Sequence, residues 1–138
     1  VAEVVTDSAR YDVFELSAAA FSGQPARALR ILAGLRGEGQ EPPLVLWALL
    51  NDLRGLSRVA QRLEREPLRD EIFRAEQIWS KRQGPIRLAL ARIPRPEIES
   101  LLLAAATVDR NAKGSLRGDA WVALEALVAR IAGLRLAA

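Results

Sequence analysis

The chain has no cysteine, no histidine and no methionine in 138 residues. Without cysteine there is no disulfide framework and no thiolate metal site. Without histidine, the usual general base and the commonest metal ligand are both missing. A Ser-His-Asp triad, a Cys-His pair and a zinc centre are therefore excluded on residue type. A carboxylate-only site survives that filter, but no pair of carboxylates is set in an apolar context. With no methionine even at position 1, Val1 does not read as a native start, and a piece cut from a longer chain is expected. The opening VAEVVTDSAR lacks the basic and long apolar regions of a signal peptide. The longest strongly apolar run, LVLWALL from Leu44 to Leu50, is far too short to span a bilayer.

Half of the residues are hydrophobic and 27% are charged, which is the balance of a folded globular domain. A length of 138 residues suits one domain that needs no staple, and residues 1–138 are read as such. The net charge is +3 and the pI about 10.1. Nearly all the basic residues are arginine, whose very high pKa inflates the pI. Acids and bases are interleaved, as in RLEREPLRDEIFRAE from Arg62 to Glu76, which suits a solvated surface laced with ion pairs.

Alanine, leucine, arginine and glutamate favour helices, and no alternating strand pattern or Asn-Gly hairpin turn interrupts them. Gly and Pro punctuate about seven helical segments. The first is expected to begin after TDSAR with Asp7 or Ser8 as cap, and to carry Tyr11, Phe14, Ala18 and Phe21. Pro25 opens the second, with Ala28, Leu29, Leu32 and Leu35 inward, and Gly37 or Gly39 closes it. Pro42 and Pro43 lead into the longest helix, apolar all round from Leu44 to Leu50 and then amphipathic through Leu53, Leu56, Val59, Ala60 and Leu63 until Pro67 stops it. A short helix follows through Ile72, Phe73 and Ile78. Pro85 is read as the opener of the next, and Pro94–Glu97 as the start of the one ending at Lys113. The last runs from about Gly118 to Gly133, with Trp121, Leu124, Leu127, Val128 and Ile131 toward the core. Short connections favour antiparallel neighbours, so the fold class is all-α, a compact single-domain helical bundle.

Three features are candidates for function. Asp109 and Lys113 stand four apart ahead of Gly114, which reads as a helix end: an acid-before-base pair, a cation at the negative end of the dipole, and a glycine just past it. Arg54, Arg58, Arg62 and Arg65 line one helix face and could meet phosphate, but Asp52, Glu64 and Glu66 lie among them and no aromatic platform accompanies them. Trp47 and Trp121 are placed in the core and Trp79 at a partly exposed helix end, each a possible interface anchor. GLRGEG follows a helix and lacks the Lys-Ser/Thr of a P-loop.

Several stretches together resemble the C-terminal domain of the delta subunit of the bacterial DNA polymerase III clamp loader. They are SARYDVFEL (Ser8–Leu16), ARALRILAGLRGEGQEPPLVLWAL (Ala26–Leu49), IWSKRQGPI (Ile78–Ile86), and DRNAKG (Asp109–Gly114) followed by DAW (Asp119–Trp121). Ser80 departs from that family, which has proline there more often. The resemblance implies a segment of the circular helical collar that joins the clamp-loader subunits, with delta prime and gamma/tau as partners. It further implies two N-terminal AAA+-like domains in the full subunit, DNA met only indirectly, no membrane contact and a bacterial cytoplasmic setting. No catalytic residue, cofactor or metal is expected, and a nucleic-acid-binding helical domain using the arginine stripe is the alternative.

Overall fold

A computed structural model of the chain describes residues 2–114 and 119–134, with side chains from Asp12 onward. Among the described residues there are seven α-helices and no strand: α1 (Ala2–Phe21), α2 (Pro25–Gly37), α3 (Pro42–Arg62), α4 (Asp70–Ala75), α5 (Ser80–Arg92), α6 (Arg95–Ala112) and α7 (Ala120–Ile131). The all-α class read from the sequence is what the structure has.

Helix α3 is the axis of the molecule and packs against α1, α4, α5, α6 and α7. Its buried stripe of Val45, Leu46, Leu49, Leu53, Leu56 and Val59 recurs at the three-and-four spacing that puts side chains on one face. Helices α1 and α2 pair closely, α2 lies on α7, and α7 on α6. One hydrophobic cluster draws on all seven helices, with Phe21 and Phe73 its largest fully buried side chains.

Helix ends follow the expected punctuation in most places. Pro25, Pro42 and Pro96 stand in first turns, where a missing N–H costs nothing. Gly39, not Gly37, carries the left-handed turn after α2. Gly114 (φ +77°) donates its N–H to the Asn111 carbonyl and ends α6. A residue with a side chain would be strained there by the left-handed backbone, although the space beside it is open.

Four expectations need correction. The backbone of α1 is already helical from Ala2, so Asp7 and Ser8 lie inside the helix instead of capping it. No Gly or Pro intervenes to stop the helix from extending. The side chains of Asp7, Ser8 and Tyr11, and all of Gly118, lie outside the described residues. Helix α3 stops at Arg62, before Pro67: Glu64 and Arg65 donate to the Gln61 and Arg62 carbonyls three residues back, a tighter winding than the helix. Pro85 sits within α5, which starts at Ser80. The N–H it lacks would have met the carbonyl of Lys81, an exposed residue whose carbonyl can turn to water.

Trp47 is the fourth. It was placed in the core, yet it is 49% exposed. An apolar run hides which turn faces outward, and Trp47 falls on the solvent side of an otherwise buried segment.

Candidate functional site: a tryptophan-walled groove over a buried ion pair

A groove of about 850 Å³ opens between α1, α3 and the segment entering α5. Phe14 comes from α1, Trp47 and Asn51 from α3, and Ile78 and Trp79 from the approach to α5. Trp47 meets Phe14 edge to face, with ring centroids 5.5 Å apart. Trp79 is 74% exposed, the largest exposure among the big apolar side chains described. Each ring carries roughly 150–250 Å² of surface, and leaving two partly exposed on one rim is costly in water.

Beneath the groove lies a polar cluster that the sequence did not advertise. Asp52, in sequence one of the charges among the arginines, is buried, and among the described residues Ser17 is the one other polar residue in the core. The Ser17 hydroxyl donates to Asp52 Oδ2 at 2.5 Å. Arg82 closes the pair from α5: its Nε donates to Oδ1 at 3.2 Å, and a terminal nitrogen donates to Oδ2. Another terminal nitrogen reaches the Phe14 carbonyl at 3.3 Å, and the guanidinium stacks over the Phe14 ring at 5.1 Å. A buried carboxylate survives only when it is paired and hydrogen-bonded, and these contacts meet that need. The result ties α1, α3 and α5 together and sets the floor of the groove.

The WSKRQG stretch thereby acquires physical roles. Arg82 is the clamp, Gln83 donates to the Ile78 carbonyl at 3.1 Å to fasten the turn, and Trp79 is left outside. The family likeness of this stretch is the one sequence signal that points to Arg82. Nothing local to Asp52 does, since its partner is 30 positions away.

The structure separates the other candidates. Arg58 and Arg62 both pair with Glu76, and Arg62 also with Glu66. Arg69 donates to Glu66 at 3.1 Å, and Arg95 binds Glu64. Two of the four arginines of the stripe, Arg58 and Arg62, are thus paired with carboxylates. The Glu66 carboxyl is held below its ordinary value, first by the hydrogen bond from Arg69 and then by the nearby Arg62. Among the described residues, Arg54 and Arg65 form no ion pair.

Asp109, Lys113, Gly114 and Trp121 lie at the α6–α7 junction, and none of them lines the groove. Lys113 pairs with Asp109 at 2.9 Å, and Asp119 caps α7 by accepting from the Trp121 N–H at 2.8 Å. Trp121 packs partly buried against the core. Each residue of this signature ends or begins a helix. No group of three or more metal-ligating side chains comes together among the described residues, and no described helix is long and apolar enough to cross a membrane.

A helical scaffold with an aromatic-walled groove and an internal ion-pair clamp is the class these features define. Residues 13–137 match the family described as the processivity clamp loader gamma complex DNA pol III C-terminal domain, and the chain belongs to that family. The DNA polymerase III subunit delta of Escherichia coli is 29% identical over 127 residues, covering 92% of this chain and 37% of that protein. Its counterpart in Haemophilus influenzae is 27% identical over 140 residues, covering 95% and 40% respectively. The chain thus spans about two fifths of the length of the curated relatives it matches.

Proposed function

We propose that the chain is a protein–protein assembly domain, the collar segment of a clamp-loader delta subunit, formed by residues 1–138 as one C-terminal domain. The observation that carries this reading is the family match across residues 13–137, in a domain whose most prominent surface feature is an aromatic groove and not a reaction centre. The partners are the other clamp-loader subunits, delta prime and gamma/tau, together with the N-terminal domains of its own subunit. The setting is the bacterial cytoplasm. Catalysis belongs to other parts of the DNA polymerase III holoenzyme.

The Asp109–Gly114 and Asp119–Trp121 signature serves this function by fixing the α6–α7 junction. DNA is met only indirectly, a reading supported by the pairing of two of the four stripe arginines, Arg58 and Arg62, with Glu76 and Glu66. The test is retention of purified delta prime and gamma/tau subunits on the immobilised chain. At least one is expected to be retained, and retention of neither would remove the assembly role. Steeply salt-dependent binding to DNA would instead favour the arginine-stripe alternative.

A further inference from the structure

Beyond the assembly reading, and without resting on it, we propose that Glu66 and Glu76 act as a built-in phosphate mimic: together they mask half of an arginine stripe that would otherwise take nucleic-acid phosphates along α3.

The stripe has the reach for that ligand. Arg54, Arg58 and Arg62 follow one another at steps of four on α3. They rise about 12 Å along the axis, the span of three to four phosphates of one DNA strand. Arg65 stands just past the helix end and lines, with Arg58 and Arg62, a shallow polar depression of about 550 Å³. Two other acids of this region are engaged elsewhere. Asp52 is buried against Arg82, and Glu64 is paired with Arg95. Among the described residues, the carboxylates paired with the stripe are those of Glu66 and Glu76.

These two carboxylates bind as a phosphate would. The Glu76 carboxylate spans two arginines one turn apart: Arg58 Nε lies 3.2 Å from one oxygen, and a terminal nitrogen of Arg62 lies 3.2 Å from the other. Arg58 also donates to the Glu76 carbonyl at 3.2 Å. The second terminal nitrogen of Arg62 faces Glu66 at 3.4 Å, and Arg69 pairs with Glu66 at 3.1 Å. The guanidinium forks that would grip phosphate are therefore filled. Glu76 is also held by its backbone. It ends α4 just ahead of Gln77, the one non-glycine residue with positive φ (59°) among those described. The Ile78 N–H then donates to the Phe73 carbonyl at 2.8 Å and closes the turn. The chain accepts a normally unfavourable left-handed residue at the turn that delivers Glu76 onto α3.

Arg54 and Arg65 form no ion pair among the described residues, so the mask covers two positions of four. Counterion release turns that count into a measurable slope. Each neutralised phosphate contributes about −0.9 to the slope of log K against log salt, so the masked stripe gives about −2 and the bare stripe about −4.

The test is fluorescence anisotropy of a labelled DNA duplex titrated with the chain between roughly 50 and 200 mM salt. Glu66→Gln/Glu76→Gln is expected to bind about tenfold or more tightly than wild type at the low-salt end, with a slope near −4. Glu76→Gln alone should lie between the two. Glu38→Gln/Glu125→Gln removes the same charge from exposed sites away from the stripe and should change affinity less than about threefold. Adding Arg58→Gln and Arg62→Gln to the unmasked variant should return the affinity and slope to those of wild type. Circular dichroism spectra that match wild type confirm that each variant is folded. A wild-type slope already near −4 would overturn the mask. So would an unmasked variant that gains nothing, or a control pair that gains as much as the unmasked one. Persistence of the gain after Arg58 and Arg62 are replaced would overturn the placement of the phosphates on this stripe.

Discussion

Replacing Arg82 with alanine would strip the buried Asp52 carboxylate of its guanidinium and leave it only the Ser17 hydroxyl. The Asp52 side chain is 2% exposed and that of Arg82 12%, so the charges have little water to fall back on. Breaking a buried pair by removing one partner typically costs 3–5 kcal/mol, roughly, because the survivor is uncompensated. Here the lower part of that range applies. Asp52 borders the groove, and water can enter where the arginine stood. A loss of about 3 kcal/mol is a large share of the roughly 5–15 kcal/mol that holds such a domain together. At this chain length it lowers the melting temperature by about 10 °C. Thermal unfolding followed by circular dichroism reads this directly, and urea titration gives the free energy independently. Removing both charges together, as Asp52→Asn with Arg82→Met, should recover more than half of the loss, since no unpaired charge remains. An Arg82→Ala melt within 2 °C or so of wild type, on the same scale of degrees per kcal/mol, would refute the reasoning. The pair would then be an ornament of the groove wall and not the clamp across α1, α3 and α5.

Other consequences are smaller and separable. Gly23 has φ +77°, and a Cβ there would come within 3.0 Å of Arg92 Nε, whose side chain also donates to the Ala20 and Phe21 carbonyls at the end of α1. Gly23→Ala is expected to destabilise by about 1–2 kcal/mol in urea titration, whereas Gly34→Ala, with nothing near its Cβ on exposed α2, should stabilise by about 0.5–1 kcal/mol. Asp119→Ala should cost about 1 kcal/mol through the lost cap on α7. Lys113→Ala, which breaks only a surface pair, should cost under about 0.5 kcal/mol. Glu66 has its folded pKa depressed below the ordinary 4.5, so its contribution to stability is present above that value and is lost as pH falls through the folded pKa. In low salt, Glu66→Gln should therefore flatten the fall in melting temperature below about pH 4.5, and the difference from wild type should shrink when salt is raised.

Much of the architecture is legible in the sequence because it rests on local rules. The inward faces of α2 and α7 follow helical spacing, and Pro25, Pro42 and the Pro94–Glu97 stretch mark their helix starts through backbone geometry alone. The groove is hidden because it depends on tertiary facts. Trp47 lies in a run with no polar residue to show which turn meets water, and Asp52 looks like one more surface carboxylate until Arg82 arrives from a helix 30 positions on. Pro85 misleads for a related reason: a proline reads as a helix start, but α5 is already anchored by the Trp79 carbonyl accepting from Arg82 N–H. The arginine stripe is visible as a pattern, while the pairing of Arg58 and Arg62 with Glu76 requires the turn after α4 to fold back onto α3.

The central claim is that this domain exists to join other subunits. Sedimentation velocity of the chain mixed with purified delta prime and gamma/tau subunits tests it most directly. A new, faster-sedimenting species that contains the chain is expected, at the expense of the free components. Boundaries that are the plain sum of the separate runs, at concentrations well above micromolar, would contradict it.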